Sequence, residues 1–162
     1  MKLKGIIFED FVNYKKICMT LEFPYCNFKC DKECGMAVCQ NSQLAQSETY
    51  DFTIDEIIKT YINNPITEAI CCQGLEPLDS FNELINFIDQ FRKICNDDIV
   101  IFTGYTEDEV KEKQYLTKLK NYDKIILKYG RFIPNRKSRY DEVLGISLAS
   151  DNQYARRLIN EE

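Results

Sequence analysis

Short apolar runs and amphipathic segments of helical periodicity alternate along the chain. Runs at residues 68–72, 99–103 and 124–127 are bounded by polar residues and too short for helices, which predicts buried strands of a parallel sheet. Apolar and polar residues alternate over 19–23, which predicts a half-buried strand before them. Strands that alternate with helices indicate an α/β fold, in which ligands bind at the carboxyl ends of the strands.

Three Ser/Thr-x-x-Glu sequences predict where helices begin. They open at Thr53, Ser80 and Thr106, and in each a hydroxyl and a carboxylate can satisfy free N–H groups of the first helical turn. The apolar spacing that follows predicts a helix ending near residues 63–65, a longer amphipathic helix, and a third helix with a weaker apolar stripe. Residues 130–150 show little periodicity, and we expect mostly loop there, with one more strand near the end.

Size and composition indicate a single domain spanning residues 1–162. The chain has 162 residues, of which 44% are hydrophobic and 29% charged, so it can form a core. A net charge of −5 argues against nucleic acid as a partner. No apolar run suits a membrane helix or a signal peptide, so we expect no membrane association. The pair Arg156-Arg157 is best interpreted as part of a solvated helix face.

Eight cysteines and no histidine point to sulfur chemistry. So many thiols without an export signal favour a reducing, cytoplasmic location, where clustered cysteines bind metal or do redox chemistry more often than they form disulfides. Cys18, Cys72 and Cys95 fall on predicted strands or apolar helix faces and are interpreted as core thiols. Four others lie within 14 residues, in a polar segment after the strand at 19–23: Cys26, Cys30, Cys34 and Cys39.

Three interpretations of the four clustered cysteines compete. A structural zinc site is disfavoured because zinc sites mostly use Cys-x-x-Cys pairs, and no two cysteines here have that spacing. Buried thiols or disulfides are a poor explanation for cysteines in a polar loop of a reduced protein. An iron–sulfur cluster tolerates wider and more varied spacings and is the favoured interpretation.

The cysteine segment resembles the signature of radical S-adenosylmethionine (SAM) proteins, Cys-x-x-x-Cys-x-aromatic-Cys, which often continues with Gln-Asn. Cys26 and Cys30 have the first spacing, and Cys39 is followed by Gln40-Asn41. The sequence departs from the signature in having six extra residues before the last cysteine. The resemblance implies a 4Fe-4S cluster on three cysteines, with SAM bound at the fourth iron.

Two choices of the third cluster ligand remain open. With Cys39 as the ligand, Val38 occupies the position that packs near the adenine of SAM in the family. With Cys34 as the ligand, Glu33 occupies that position, where the family has an apolar or aromatic residue. We prefer Cys39, which leaves Cys34 as a spare thiol.

A second segment, Gly74-Leu75-Glu76-Pro77, resembles the Gly-Gly-Glu-Pro element of radical SAM proteins. In that family the element follows a strand and binds the amino group of SAM, which implies that Gly74, Glu76 and Pro77 contribute to a SAM site. A carboxylate suits an ammonium group, and glycine allows close approach. Leu75 stands where the family has the second glycine. On its own the element would be interpreted as an ordinary strand-to-helix turn.

Nearly the whole chain, about residues 5–158, resembles the activating proteins of anaerobic ribonucleoside-triphosphate reductase. Residues 101–105 resemble their apolar strand ending in Thr-Gly-aromatic, 128–132 their Asp-Gly-Arg-Phe element, and 148–153 their Gly-Ser-Ser-Asn-Gln stretch. The resemblance implies a partial (β/α) barrel of the radical SAM type, Thr103 at the SAM site, and an oxidoreductase that installs a glycyl radical on the reductase catalytic subunit. An electron donor such as flavodoxin or ferredoxin is the implied second partner.

Two alternatives remain at this stage. The chain could be another small radical SAM enzyme, either a different glycyl-radical activase or a nucleoside-modifying enzyme. It could also be a non-enzymatic binding module stabilised by zinc or by a cluster.

Overall fold

A computed structural model describes residues 1–159 of the protein; 160–162, the end of the predicted domain, lie outside the described residues. The helices are α1 Lys29–Cys34, α2 Ser42–Gln46, α3 Ile54–Asn63, α4 Phe81–Arg92, α5 Glu107–Glu112 and α6 Tyr115–Leu119. The strands are β1 Lys2–Leu3, β2 Gly5–Asp10, β3 Cys18–Phe23, β4 Tyr50–Asp51, β5 Ala69–Gly74, β6 Asp98–Phe102, β7 Ile125–Tyr129, β8 Arg139–Asp141, β9 Ile146–Leu148 and β10 Tyr154–Arg157.

The central sheet has six strands in the order β2-β3-β5-β6-β7-β10. Its four middle strands are parallel, and β2 and β10 are antiparallel edge strands. The middle strands follow chain order without reversal, and right-handed crossovers then place their connecting helices on one face of the sheet. The carboxyl ends of all four middle strands lie at one edge, where the cysteine segment leaves β3.

The four predicted strands of the parallel sheet are confirmed, each within two residues of its predicted limits. They are almost entirely buried because the sheet is covered on both faces. The larger core packs side chains of these strands against α3 and α4, and the smaller core lies on the opposite face around Tyr14 and Leu144. Cys18 and Cys72 are fully buried, as expected for core thiols, and Cys95 is half-buried against the larger core.

Two of the three predicted helix starts have the predicted caps. Thr53 and Thr106 each form a complete capping box with the glutamate three residues on. The capping box predicted at Ser80 is wrong, because a 3₁₀ turn over Pro77–Ser80 leads directly into α4. Glu83 instead accepts a hydrogen bond from the backbone N–H of Lys2 at 2.8 Å. Its carboxylate therefore ties the N-terminus to α4 rather than capping the helix.

The C-terminal third differs most from the sequence-based prediction. The third helix is broken into α5 and α6 at Gln114, whose φ of 59° interrupts the helical backbone. The strand expected near residue 148 is β9, which pairs with β8 in a separate small hairpin. Arg156 and Arg157 lie on the edge strand β10, so their assignment to a helix is wrong.

The partial (β/α) barrel and the single-domain boundaries stay predictions. Within residues 1–159, no helix combines the length and the apolar composition needed to cross a bilayer.

Candidate metal centre

A cavity of about 350 Å³ opens at the carboxyl ends of the parallel strands. The cysteine segment after β3 forms one wall, and the residues that follow β5, β6 and β7 form the others. This is the edge at which an α/β sheet is expected to bind ligands. The cavity contains most of the residues that the sequence marks as candidates.

Three of the four clustered cysteines line the cavity: Cys26, Cys30 and Cys39. Cys34, the last residue of α1, is half-buried and is not among the residues that line it. The thiols of Cys30 and Cys39 lie close enough to influence each other electrostatically. Burial raises the pKa of the Cys26 thiol to about 11 and also raises that of Cys30. The thiolate forms that ligate metal therefore depend on the positive charge of the metal itself.

Asp31 holds the segment between Cys30 and Cys39 in a loop that returns toward Cys30. Its Oδ1 accepts the backbone N–H groups of Val38 and Cys39, at 2.7 and 2.8 Å. This double hydrogen bond returns the chain to the cavity after the six extra residues, so that Cys39 lies beside Cys30. We call the Asp31 carboxylate and these two N–H groups the Asp31 clasp. It could not be predicted from the sequence, since an aspartate in a polar loop has no distinguishing signal.

The cysteine segment is also fastened to the ends of the strands. Asn41 donates a side-chain hydrogen bond to the carbonyl of Gly74 at 2.8 Å, which joins the segment to the end of β5. Gly74 has a φ of 97°, and a Cβ there would lie 2.7 Å from the backbone nitrogen of Phe23. Glycine is therefore required where β5 closely approaches β3.

Glu76 is a buried carboxylate in the cavity wall. Its Oε1 accepts the backbone N–H of Leu78 at 3.1 Å, and its Oε2 accepts that of Gly104 at 2.8 Å. The side chain of Thr103 lies beside the carboxylate and favours its charged form. Burial raises the pKa of Glu76 to about 7 despite these donors. The carboxylate connects the turns after β5 and β6 and can still accept a hydrogen bond, because each oxygen has two lone pairs.

Some of the other predicted SAM-site residues line the cavity, and some do not. Gly74 and Thr103 line the cavity together with Glu76. Val38 and Pro77 are not among the lining residues. Pro77 is buried as the first residue of the 3₁₀ turn, and the backbone N–H of Val38 belongs to the Asp31 clasp.

Sequence reasoning missed Lys128, a buried lysine in the cavity wall. It lies near the carboxyl end of β7 and is 7% exposed, and its Nζ donates to the carbonyl of Gly130 at 2.8 Å. Burial lowers the pKa of the Lys128 ammonium to about 8, although the negative charge of Glu76 acts in the opposite direction. A lysine inside an otherwise apolar strand, Ile-Ile-Leu-Lys-Tyr, was the available signal.

A network of ion pairs fixes α1 against the far side of the cavity. Arg131 binds both carboxylate oxygens of Glu109, at 2.6 and 2.8 Å, and also pairs with Glu33 on α1. Lys29, the first residue of α1, pairs with the same Glu109 at 2.8 Å. These cations help to hold the pKa of Glu109 down, at about 2. Charges on α1, α5 and the turn after β7 thus hold the cysteine segment in place.

The donor set fits an iron–sulfur cluster better than a single ion. Within the described residues, no three Cys, Asp or Glu side chains converge on one point as a single ion requires. A 4Fe-4S cluster makes no such demand, since each thiolate binds a different iron atom. Three cavity-lining thiols on a loop that is fastened at several points are a suitable donor set for it.

Comparison with known proteins agrees with this chemistry. A family model described as a 4Fe-4S single cluster domain matches residues 16–154. No curated protein and no solved structure gives a significant match. The family match extends over most of the chain and includes all eight cysteines, so the chain is an iron–sulfur protein and belongs to the 4Fe-4S single cluster domain family.

Proposed function

We propose that this iron–sulfur protein is a radical SAM activase, which reductively cleaves SAM and installs a glycyl radical on an anaerobic ribonucleotide reductase. One observation supports the proposal above the others. Cys26, Cys30 and Cys39 line the same cavity as Gly74 and Glu76 of the Gly-Leu-Glu-Pro segment. Two motifs that resemble radical SAM elements, more than thirty residues apart in the sequence, thus face one space of a size suited to a small molecule.

The strand order supports the proposed partial (β/α) barrel. The parallel strands β3, β5, β6 and β7 follow chain order across the sheet, as consecutive strands of a (β/α) barrel do. Four parallel strands are too few to close an eight-stranded barrel. A partial barrel leaves one side of the cavity accessible, and a macromolecular substrate such as a partner's glycine loop needs that access.

Cys26, Cys30 and Cys39 would hold the cluster as thiolates. The chemistry that such a cluster would supply, once reduced, is one-electron cleavage of the SAM sulfonium to methionine and a 5′-deoxyadenosyl radical. A glycine Cα of the partner would be the source of the hydrogen atom that this radical takes. That electron comes from a donor of the flavodoxin or ferredoxin class.

The chain's own residues bind SAM, orient it and exclude water. The Glu76 carboxylate offers unused lone pairs to the SAM ammonium group, and Gly74 lets the end of β5 lie close to β3 beside it. Gly104 holds Glu76 in position by a hydrogen bond, and the side chain of Thr103 lies beside the carboxylate. Val38 and Pro77 would act by shaping the turns that carry Cys39 and Glu76, because neither lines the cavity.

Radical transfer to candidate partners tests the activase assignment. The reconstituted and reduced protein is mixed with SAM and with the catalytic subunit of an anaerobic ribonucleotide reductase, and the glycyl radical is detected by electron paramagnetic resonance. We expect the radical with this reductase and not with a glycyl-radical enzyme of another class. A radical only on another enzyme, or SAM cleavage without any radical on the reductase, would show that the protein is a different small radical SAM enzyme.

A further inference from the structure

We infer that a basic loop beside the cavity is the docking surface for an acidic protein that carries single electrons. The basic loop comprises residues 133–140, and its exposed cations are Arg136, Lys137 and Arg139. This inference rests on the proposed function, in which a protein of the flavodoxin or ferredoxin class reduces the cluster. In that step the carrier loses one electron, the cluster gains it, and no covalent bond forms or breaks.

The basic loop concentrates positive charge on an acidic protein. The chain has a net charge of −5, yet its residues 130–140 contain four basic residues and no acidic residue. One of the four, Arg131, is neutralised by Glu109 and Glu33. The other three are exposed on the loop. The net charge of the chain repels an acidic partner and the loop attracts it, so the two together orient the encounter.

Little of the positive charge on the loop is compensated within the protein. Arg136 pairs with Asp151 at 3.5 Å, and both side chains are about half exposed, so this ion pair is weak. Lys137 and Arg139 form no ion pair with any residue between 1 and 159. An acidic surface can therefore approach all three cations without breaking a strong internal contact.

The basic loop continues directly from the wall of the cavity that contains the cysteines. Phe132 lines that cavity, and Arg136 follows it after four residues, a length of chain that spans at most about 14 Å. Arg131 contacts α1, the helix that carries Cys30, through its 3.5 Å pair with Glu33. Electron transfer weakens steeply with distance, so a carrier must dock close to the cluster. A carrier bound to the basic loop meets that condition.

The backbone of the basic loop is held in a defined turn. The N–H of Ile133 donates to the hydroxyl of Ser150 at 3.3 Å, which fastens the base of the loop. Pro134 has a fixed φ, and Asn135 has a φ of 64°, a left-handed conformation that asparagine tolerates. The cations that follow the turn are therefore preorganised, and less conformational entropy is lost when a partner docks.

A small charged surface suits a redox partner better than it suits a nucleic acid. Complexes between electron-transfer proteins bury little area, and charge steers their association. Tyr140 and Ile133, which are 58% and 36% exposed, add apolar contact area beside the cations. A long polyanion would bind the same cations but would also meet the negative charge of the rest of the chain, because its own charge extends along its whole length.

The test measures how fast flavodoxin hydroquinone reduces the reconstituted cluster in the absence of SAM. Stopped-flow absorbance follows the oxidation of an acidic flavodoxin at several salt concentrations, and calorimetry measures the binding of oxidised flavodoxin to the same proteins. Iron content is recorded for every protein. The neutral variant combines Arg136→Gln, Lys137→Gln and Arg139→Gln, and the reversed variant combines Arg136→Glu, Lys137→Glu and Arg139→Glu.

A control variant changes the net charge as much as the reversed variant does. It combines Lys59→Glu, Lys93→Glu and Lys118→Glu, three exposed positions on or next to the helices that pack on the larger core. The β8–β9 hairpin that follows the basic loop packs on the smaller core, on the other face of the sheet. The control therefore separates a local docking surface from an effect of overall charge.

At low ionic strength we expect reduction to slow about 5-fold in the neutral variant and about 25-fold in the reversed variant, because reversal doubles the change in charge. Binding of oxidised flavodoxin should weaken in the same order, the control should stay within about 2-fold of the wild type, and high salt should remove the differences. Equal rates in the loop and control variants would overturn the inference. Equal slowing by Gln and Glu, or a wild-type cluster that flavodoxin does not reduce, would also overturn it.

Two other results would assign the loop to a different occupant and so overturn the inference. One is unchanged reduction by flavodoxin with loss of glycyl-radical formation on the reductase, which would place the reductase there. The other is unchanged reduction with loss of binding to a single-stranded oligonucleotide. Dithionite needs no docking surface, so the loop variants reduced with it should form 5′-deoxyadenosine as fast as the wild type. Absence of that product in the wild type would contradict the proposed function, whereas the reduction rates, measured without SAM, would still test the docking surface.

Discussion

The two ends of the parallel sheet differ in whether their buried charges are neutralised by neighbouring charges. At the amino end, Asp98 begins β6 and is 3% exposed, but it accepts from Tyr14 at 3.0 Å, Lys16 at 2.8 Å and Arg157 at 2.7 Å. These partners hold the pKa of Asp98 well below its usual range. At the carboxyl end, Glu76 and Lys128 are buried without an ion pair between them, and burial moves both pKa values toward neutrality.

The difference separates a buried charge that other charges neutralise from two buried charges that line a cavity without an ion pair. Asp98 and its three partners join β6, β10 and the segment after β2, and a buried carboxylate so well compensated contributes to stability. Burial of Glu76 and Lys128 without an ion pair costs folding free energy, and strongly perturbed groups in a cleft are typical of functional sites.

The largest expected effect concerns the metal-binding end. Cys39→Ala should lose nearly all cluster iron after reconstitution, because the third cavity-lining thiol is gone, whereas Cys34→Ala should keep it. Iron and sulfide analysis with the visible absorption spectrum measures both. If Cys34→Ala loses the cluster and Cys39→Ala keeps it, the choice of Cys39 as the third ligand is wrong.

The next largest effect is expected when the two buried carboxylates, Asp98 and Glu76, are each replaced by the neutral amide. Asp98→Asn should destabilise the protein by about 2 kcal/mol, since it weakens hydrogen bonds to two cations that are themselves partly exposed. Glu76→Gln should change the free energy of unfolding by less than about 1 kcal/mol while weakening SAM binding. Urea unfolding at neutral pH measures the stabilities. Equal losses in the two variants would contradict the distinction between the ends.

A smaller effect is expected at the Asp31 clasp. Asp31→Ala removes the acceptor of two backbone N–H groups, and at about 0.5 kcal/mol for each hydrogen bond, the lower end of the usual range, the cluster should become several-fold more labile to a chelator. Asp31→Asn retains an acceptor oxygen and should lose iron at a rate nearer that of the wild type. Equal rates in Asp31→Ala and the wild type would show that the clasp does not position Cys39.

The smallest effect is the pH dependence of the stability that Asp98 contributes. Because the folded-state pKa of Asp98 is depressed, its contribution to stability is fully present above its unfolded-state pKa of about 3.9 and is lost as the pH falls further. The difference in unfolding free energy between wild type and Asp98→Asn should therefore be constant from pH 7 to pH 5 and shrink below pH 4. A difference that instead grows on acidification would contradict the assigned compensation.

Local patterns predicted the four parallel strands and the regions of α3 to α6. The runs at 68–72 and 99–103 were recognisable as strands because burial on both faces leaves a continuous apolar sequence. The edge strand β2 and the strand β10 were missed, since edge strands carry mixed sequences and depend on a partner strand. The failed capping box at Ser80 has a related cause: Glu83 contacts Lys2, which is far away in sequence.

The residues of the candidate site also fall into those that sequence patterns predicted and those that they did not. Cys26, Cys30, Cys39, Gly74 and Glu76 lie in short segments whose spacing could be compared with a family pattern. Lys128 lies in an apolar strand and in a segment that resembles a family element, but its place in the cavity wall is seen only in three dimensions. Asp31 has no such signal, because what distinguishes it is the two backbone N–H groups that it binds.

Cleavage of SAM by the protein alone tests the central claim most directly. The chain is reconstituted anaerobically with iron and sulfide, reduced with dithionite and incubated with SAM, and 5′-deoxyadenosine is quantified by chromatography. We predict that 5′-deoxyadenosine and methionine form in equal amounts, that both need the reductant, and that Cys39→Ala abolishes them. A fully loaded and reduced protein that forms no 5′-deoxyadenosine would contradict the assignment to radical SAM chemistry and leave an iron–sulfur protein of another function.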